Sequence, residues 1–161
     1  MGMVVQYKVE NGAASSAAIG SQLWIVNTST DMVNLNDLGL RYYLTNEVAA
    51  TLQKNINWAN IGLVGGSNSG FPTGDIMITV VPMATPVPGA DTYVEFSFTG
   101  SAHMLSPNQR VQFSWTIQNF MSQQFAQTGD YSFSAGATSQ QDWPKAVLVY
   151  QGQSVVWGVE P

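Results

Sequence analysis

The chain has 161 residues, of which 45% are hydrophobic and only 9% are charged, with a formal net charge of -5. This length fits one domain with its own core, and the absence of cysteine excludes disulfides, thiolate metal sites and a cysteine nucleophile. The five basic residues are scattered singly, so no cationic cluster is available to bind a nucleic acid or an anionic membrane surface.

Short segments rich in β-branched and aromatic residues, separated by Gly, Pro, Asn and Ser, predict strands along the whole chain. They cover residues 4–9, 22–26, 38–44, 76–81, 93–98, 111–117, 146–150 and 155–157. The segments at 93–98 and 111–117 alternate strictly, which is typical of strands with one buried and one solvated face. Residues 46–53 fit either a short helix or a loop. No stretch approaches the ~18 apolar residues of a membrane span. The pattern predicts an all-β sandwich or jelly roll, with residues 1–161 as one domain.

Motifs of known enzyme classes are missing from the chain. His103 is the only histidine, so no second histidine is available for a zinc site, and there is no phosphate-binding loop or nucleophile elbow. Glycoside hydrolysis needs two carboxylates that flank one bond, and the acids here are mostly single. A carboxylate pair formed only in space would be invisible in the sequence, so a hydrolase stays an alternative. We nevertheless expect a non-catalytic domain.

Aromatic residues are combined with many amides, which is a pattern typical of sugar recognition. Rings stack on the C–H faces of sugars, and amides both donate to and accept from sugar hydroxyls. Most rings are expected in the core, among them Phe96, Phe113 and Trp115 on the apolar sides of alternating strands. Trp58 differs because amides flank it on both sides, as Asn57 and Asn60.

Several sequence motifs together resemble a family 3 carbohydrate-binding module. They are Leu-Arg-Tyr-Tyr-Leu-Thr at 40–45, Trp-Ala-Asn-Ile-Gly at 58–62, Asp-Thr-Tyr-Val-Glu-Phe-Ser-Phe-Thr-Gly at 91–100, Asp-Tyr-Ser-Phe at 130–133 and Val-Trp-Gly-Val-Glu-Pro at 156–161. The resemblance runs nearly from end to end. It implies a nine-stranded jelly-roll sandwich of two antiparallel sheets, with no catalysis of its own. Members of the family occur in bacterial cellulases, cellulosomal scaffoldins and membrane-anchored sugar sensors.

In this family a flat strip on one sheet binds crystalline cellulose, and the resemblance transfers strip positions to this chain. The strip's ring falls on Trp58, its acidic position on Asn57 and its arginine position on Thr116, so both members of an ion pair are replaced. Its second tryptophan position falls on Ser122, with Phe120 close by, and Phe71 is the candidate for a loop aromatic. The predicted carbohydrate-binding residues are Asn57, Trp58, Phe71, Gln112, Ser114, Thr116, Gln118 and Phe120.

The resemblance also implies a shallow groove on the other face and a structural calcium ion. The groove would use Arg41, Tyr43, Tyr131, Trp157 and Glu160, although an Arg–Glu pair beside aromatic rings serves stability as readily as binding. The calcium ligands would be Thr45, Glu47, the carbonyls of Ala126 and Gly129, and Asp130. Calcium accepts such mixed carboxylate and carbonyl oxygens.

Two functions are compatible with the resemblance. The first is a module that binds cellulose or a related β-glycan. The second is an accessory module that braces a glycoside hydrolase or binds a linker peptide without binding crystalline cellulose. In either case we expect one module of a larger extracellular, secreted or surface-attached bacterial protein, with other modules of that polypeptide as partners.

Overall fold

The computed structural model describes all residues, Met1–Pro161, and is built almost entirely of strands. Its only helical segments are two 3-10 turns, Leu35–Asp37 and Thr73–Asp75, so no helix could cross a membrane. The strands are β1 (Met3–Val9), β2 (Ser15–Ser16), β3 (Ala18–Asn27), β4 (Val33–Asn34), β5 (Leu38–Leu44), β6 (Gln53–Leu63), β7 (Asn68–Gly70), β8 (Ile76–Val87), β9 (Ala90–Phe98), β10 (Met104–Leu105), β11 (Gln109–Gln118), β12 (Phe125–Ala126), β13 (Gln141–Asp142), β14 (Ala146–Tyr150) and β15 (Ser154–Trp157).

The strands form two main antiparallel sheets. The first has six strands in the order β13-β1-β3-β11-β6-β7, and the second has five in the order β15-β14-β5-β9-β8. Two short pairs, β10 with β4 and β12 with β2, lie outside these sheets. Nine strands have four or more residues, which agrees with the predicted nine-stranded sandwich.

The core lies between the sheets because alternating side chains of each strand point inward. From β9 of the five-stranded sheet, Phe96 meets Phe113 and Trp115 on β11 of the six-stranded sheet, with centroids 5.1 Å apart in both pairs. The indole N–H of Trp115 donates to the Ser21 hydroxyl at 2.7 Å, so this buried ring keeps a polar partner. Both strictly alternating segments therefore bury the faces that the sequence predicted.

All eight predicted strand segments lie within observed strands, and β5 and β14 have the predicted bounds. The sequence missed β6, since its run of Gln, Lys and Asn has low strand propensity. It is held in place by pairing with β11 along its whole length. Residues 46–52 form a loop, in which the amide oxygen of Gln123 accepts from the N–H groups of Ala49 and Ala50.

The tight packing of β3 against β11 gives a test of the fold. A β-carbon at Gly20 would lie 2.3 Å from the carbonyl oxygen of Trp115, which no small adjustment relieves. We expect Gly20→Ala to lower the free energy of unfolding by about 1–3 kcal/mol, measured by denaturant titration. Gly74→Ala is the control, because no atom lies within 4 Å of its β-carbon position. Equal stabilities of the two variants would contradict this packing.

Candidate functional site

A β-bulge in β6 shapes the outer face of the six-stranded sheet. Ser114 pairs with Trp58 in the ladder between β11 and β6, but the next residue, Trp115, pairs with Ile56. Asn57 is therefore the extra residue, and such a bulge locally re-aims side chains. Asn57 and Trp58 consequently both lie on the outer face, and Trp58 is 37% exposed.

Hydrogen bonds to β11 hold the bulge. The side-chain nitrogen of Asn57 lies 3.0 Å from the hydroxyl oxygens of both Ser114 and Thr116. At positions 57 and 116, where the family resemblance implies an ion pair, this chain thus has a neutral hydrogen bond. Ser114 is only 1% exposed. Its predicted direct contact with a ligand is therefore wrong, since its hydroxyl is covered and supports Asn57 instead.

Paired amides extend the outer face on either side of Trp58. The side chain of Gln112 donates to Gln22 at 3.2 Å and accepts from Arg110 at 2.9 Å. At the end of β11, Gln118 donates to Gln53 at 3.2 Å. These side chains bond to neighbours on adjacent strands, so they form a row of donors and acceptors across the outer face.

Phe120 follows the end of β11, and its side chain is 78% exposed. The neighbouring side chain of Met121 is 72% exposed. The loop is held by Asn119, whose side chain donates to the carbonyl of Gln123 at 2.8 Å and accepts from the N–H groups of Met121 and Gln123. Phe120 lies six residues along the chain from Ser114, the ladder partner of Trp58, and two residues beyond the end of β11. Trp58 thus lies beside the middle of β11, and Phe120 lies beyond its C-terminal end.

Phe71 was predicted on this surface, and that prediction is wrong. Its ring is only 5% exposed and belongs to the main core cluster. It lies edge-on to the ring of Phe98, with centroids 5.9 Å apart, and tilted against the ring of His103, with centroids 4.5 Å apart. An aromatic side chain that reaches apolar neighbours gains more from burial than from exposure, so the loop turns it inward. The predicted residues that do lie on the outer face are called the platform, which consists of Asn57, Trp58, Gln112, Thr116, Gln118 and Phe120.

The outer face of the five-stranded sheet carries a groove of about 500 Å³. Arg41, Tyr43 and Glu160 line it as predicted, together with Tyr93, residues 82–85 and Pro161. Arg41 bonds to Glu95 at 2.7 Å and to Glu160 at 3.5 Å, and its guanidinium lies 4.7 Å from the ring centre of Tyr93. Strand alternation already placed Tyr93 outward, but its role in the groove was missed.

The hydroxyl of Tyr43 bonds to Glu160 in the groove, and the two remaining predicted groove residues lie outside its lining. Burial raises the pKa of Tyr43 to about 12, so its hydroxyl remains a donor to Glu160 at 3.3 Å. Tyr131 stands edge-on to Tyr43 and donates to the carbonyl of Val159 at 2.6 Å. Trp157 packs partly against the main core and donates to the carbonyl of Trp143 at 3.2 Å. Placing Trp157 in the groove was wrong because its ring serves to anchor β15.

The predicted calcium ligands include two carboxylates, Glu47 and Asp130, and the carboxylate of Asp91 also lies near Asp130. Asp130 accepts from the N–H of Thr45 at 3.0 Å, and Glu47 accepts from the N–H of Ala126 at 3.4 Å. Burial, with Glu47 and Asp91 nearby, raises the pKa of Asp130 to about 7. None of these acids forms an ion pair with a basic side chain.

The donor set at this place mixes side chains with backbone. No group of three or more His, Cys, Asp or Glu side chains lies close enough together to hold an ion. Any ion would therefore need the hydroxyl of Thr45 and carbonyls such as those of Ala126 and Gly129. The Gly129 carbonyl lies 2.8 Å from the β-carbon position of Gly89, so part of its surroundings is the β8–β9 turn.

A nine-stranded sandwich with a level face of amides around an exposed tryptophan defines a carbohydrate-binding module. The chain matches the family model of the cellulose-binding domain, carbohydrate-binding module family 3, over residues 4–158. It belongs to this family, whose members are non-catalytic binding modules.

Relatives of known name and structure agree with this assignment. A xyloglucanase from a Paenibacillus species is 30% identical over 159 residues, which cover 98% of this chain and 14% of the enzyme. Cellulosomal-scaffolding protein A of Acetivibrio thermocellus is 31% identical over 160 residues, which cover 98% of this chain and 8% of that protein. The solved CBM3a-L domain from a cellulosome scaffoldin of Clostridium thermocellum superposes with a TM-score of 0.90 at 30% identity, covering 99% of this chain and 91% of that one. The chain thus spans a small part of the length of these two full-length relatives.

The ionic contacts of Arg41 predict a stabilising role. We expect Arg41→Ala to lower the free energy of unfolding by about 2 kcal/mol, because a half-buried arginine loses two carboxylates and a ring. Chemical denaturation measures this effect. Arg110→Ala is the control, since Arg110 bonds to the neutral Gln112. A loss no larger than that of the control would show that these contacts contribute no net stability.

Proposed function

We propose that this module binds cellulose or a closely related insoluble β-glycan through the platform. The observation that carries the proposal is the bulge at Asn57, which presents an exposed indole and an amide side by side on a flat face. A pyranose ring offers an apolar face to the indole and equatorial hydroxyls to the amides, so the two residues match both sides of sugar chemistry.

The shape of the platform favours a flat ligand over a single chain held in a cleft. None of the four cavities of the molecule includes Trp58 in its lining. Ligand sites for small molecules are concave and enclose most of the ligand, and this face offers no such enclosure. A crystalline polysaccharide presents many chains in one plane, and such a surface can contact Trp58 and Phe120 together.

Energetics require more than one ring. A stacked ring contributes about 1 kcal/mol beyond area burial, whereas micromolar affinity corresponds to about 8 kcal/mol. Trp58 alone is therefore insufficient, and the amide row and Phe120 supply the remaining contacts.

The proposal also places the module outside the bacterial cell, as one part of a longer polypeptide. Two lines of support are the names of its relatives, a xyloglucanase and a cellulosomal scaffolding protein, and the small share of those proteins that the chain covers. Insoluble glycans lie outside the cell, so a module that binds them would act there and hold its neighbours close to the polysaccharide.

Trp58→Ala tests the glycan-binding proposal. We expect it to reduce binding to microcrystalline cellulose by about tenfold or more, because the indole supplies the main apolar contact. Pull-down isotherms measure the change. Met77→Ala is the matched control, since this exposed side chain lies on the five-stranded sheet, away from the platform. Wild-type protein that stays in the supernatant with cellulose and a panel of other β-glycans would refute the proposal and favour the accessory role.

We further propose that a calcium ion ties the loop after β5 to the loop that ends at Asp130. Thr45, Glu47, Asp130 and the carbonyls of Ala126 and Gly129 would hold it, because hard oxygen donors suit calcium. The unpaired carboxylates and the raised pKa of Asp130 support a cation at this place. Its role would be to neutralise buried negative charge and stabilise the two loops.

Thermal unfolding tests the calcium proposal. We expect calcium, added in large excess after chelation, to raise the Tm by about 5–10 °C, since saturation of a native-state site at a hundredfold excess contributes about 2.7 kcal/mol. Glu47→Gln should remove most of this increase. Asp142→Asn, at an exposed position on β13, should keep it. An identical Tm with calcium and with chelator would contradict the site.

A further inference from the structure

Glu10 contacts the platform from a distant part of the sequence. It follows the end of β1, is exposed, and its carboxylate accepts a hydrogen bond from the hydroxyl of Ser114 on β11. The strand β3 lies between β1 and β11 in the sheet, so the Glu10 side chain crosses it. The residue on β3 opposite Thr116 is Gly20, which has no side chain to obstruct this path.

The contact completes a chain of hydrogen bonds across the outer face. Starting from β1, these bonds join Glu10 to Ser114, Ser114 to Asn57, and Asn57 to Thr116. They therefore connect the end of β1 directly to the bulge that presents Trp58. Among the four hydrogen-bonded residues, only Glu10 carries a charge.

The direction of the hydrogen bonds follows from the protons that each group owns. A carboxylate only accepts, so the single hydroxyl proton of Ser114 goes to Glu10. The Ser114 oxygen then accepts one proton of the Asn57 amide, and the Thr116 oxygen accepts the other. Both amide protons are thereby used within the sheet. The carbonyl oxygen of Asn57 has no partner within the protein and is the atom left for a ligand.

We propose that Glu10 is a positioning residue of the platform, which fixes the direction of these hydrogen bonds and so makes Asn57 an acceptor for sugar hydroxyls beside the Trp58 ring. The inference rests on the proposed glycan-binding function and adds a specificity to it. Without an acceptor at position 10, the Ser114 proton is free to point to the Asn57 carbonyl, and the amide can turn over. The platform would then present a donor at this position in part of the molecules.

Three variants test this role. Glu10→Ala removes the acceptor, whereas Glu10→Gln keeps a carbonyl that accepts the Ser114 proton. Asp142→Ala is the control, because it removes an equal charge from the same sheet. The side chain of Asp142 bonds to Gln6 and to none of the four residues of the hydrogen-bond chain. Two readouts are compared with wild type. They are affinity for microcrystalline cellulose, and the NMR signals of the Asn57 side-chain amide and the Trp58 indole N–H in the free protein.

We expect Glu10→Ala to weaken cellulose binding about five- to tenfold, the effect of one well-placed hydrogen bond, and to shift both NMR signals. Glu10→Gln should restore affinity to within about twofold of wild type, and Asp142→Ala should match wild type in both readouts. The positioning role would be overturned if Glu10→Ala kept the NMR signals of wild type. It would also be overturned if wild type bound cellulose and Glu10→Ala bound it with the same affinity. Shifted signals in a protein that binds no glycan would support the chain of hydrogen bonds while refuting the proposed function.

Discussion

The pairing of β6 with β11 is the interaction on which the binding face depends. Strict alternation along β6 would point either Asn57 or Trp58 into the core, and each outcome has a cost: an amide without a partner, or an indole added to a filled interior. A single extra residue removes the conflict, since Ile56 and Ala59 still face inward while Asn57 and Trp58 face outward. The bulge converts a strand of weak propensity into the centre of the platform.

Charge is divided unequally between the two outer faces. On the five-stranded sheet, Arg41 joins two carboxylates and a tyrosine ring beside a concave groove. The middle of the six-stranded sheet carries mainly hydroxyls and amides, and the charged side chains there, Glu10 and Arg110, bond to the neutral Ser114 and Gln112. Ionised groups hold their hydration shells strongly, and removing that water is costly. A face that must come into dry contact with a neutral solid is therefore better built from amides, whereas a face with a half-buried ion pair is better suited to holding its own strands together.

Much of the fold could be predicted because alternation and turn residues are local signals. The strictly alternating segments that form β9 and β11 lie as expected, and the family resemblance placed position 58 on the surface, where Trp58 is exposed. The prediction for Phe71 was wrong for a physical reason. A loop has no strand alternation to indicate the direction of a side chain, so the packing against Phe98 and His103 decides where the ring of Phe71 points. Ser114 illustrates a second limit. Its position in the alternation of β11 directs it outward, as predicted, but neighbouring side chains cover it.

Glu10 could not have been found from the sequence, because 104 residues separate it from Ser114 and an intervening strand must lack a side chain for the two to meet. The same long-range geometry brings one carboxylate onto the outer face of the six-stranded sheet. The Glu10 side chain reaches across β3 to the hydroxyl of Ser114, and Glu10 stays exposed, so its carboxylate keeps part of its water while it orients the Asn57 amide. Its effect reaches Asn57 through the proton of one buried hydroxyl, and a hydrogen bond chain in a water-poor setting transmits direction more strictly than one in bulk solvent. The surface thus gains a fixed acceptor at Asn57 through one exposed carboxylate that is bonded to Ser114.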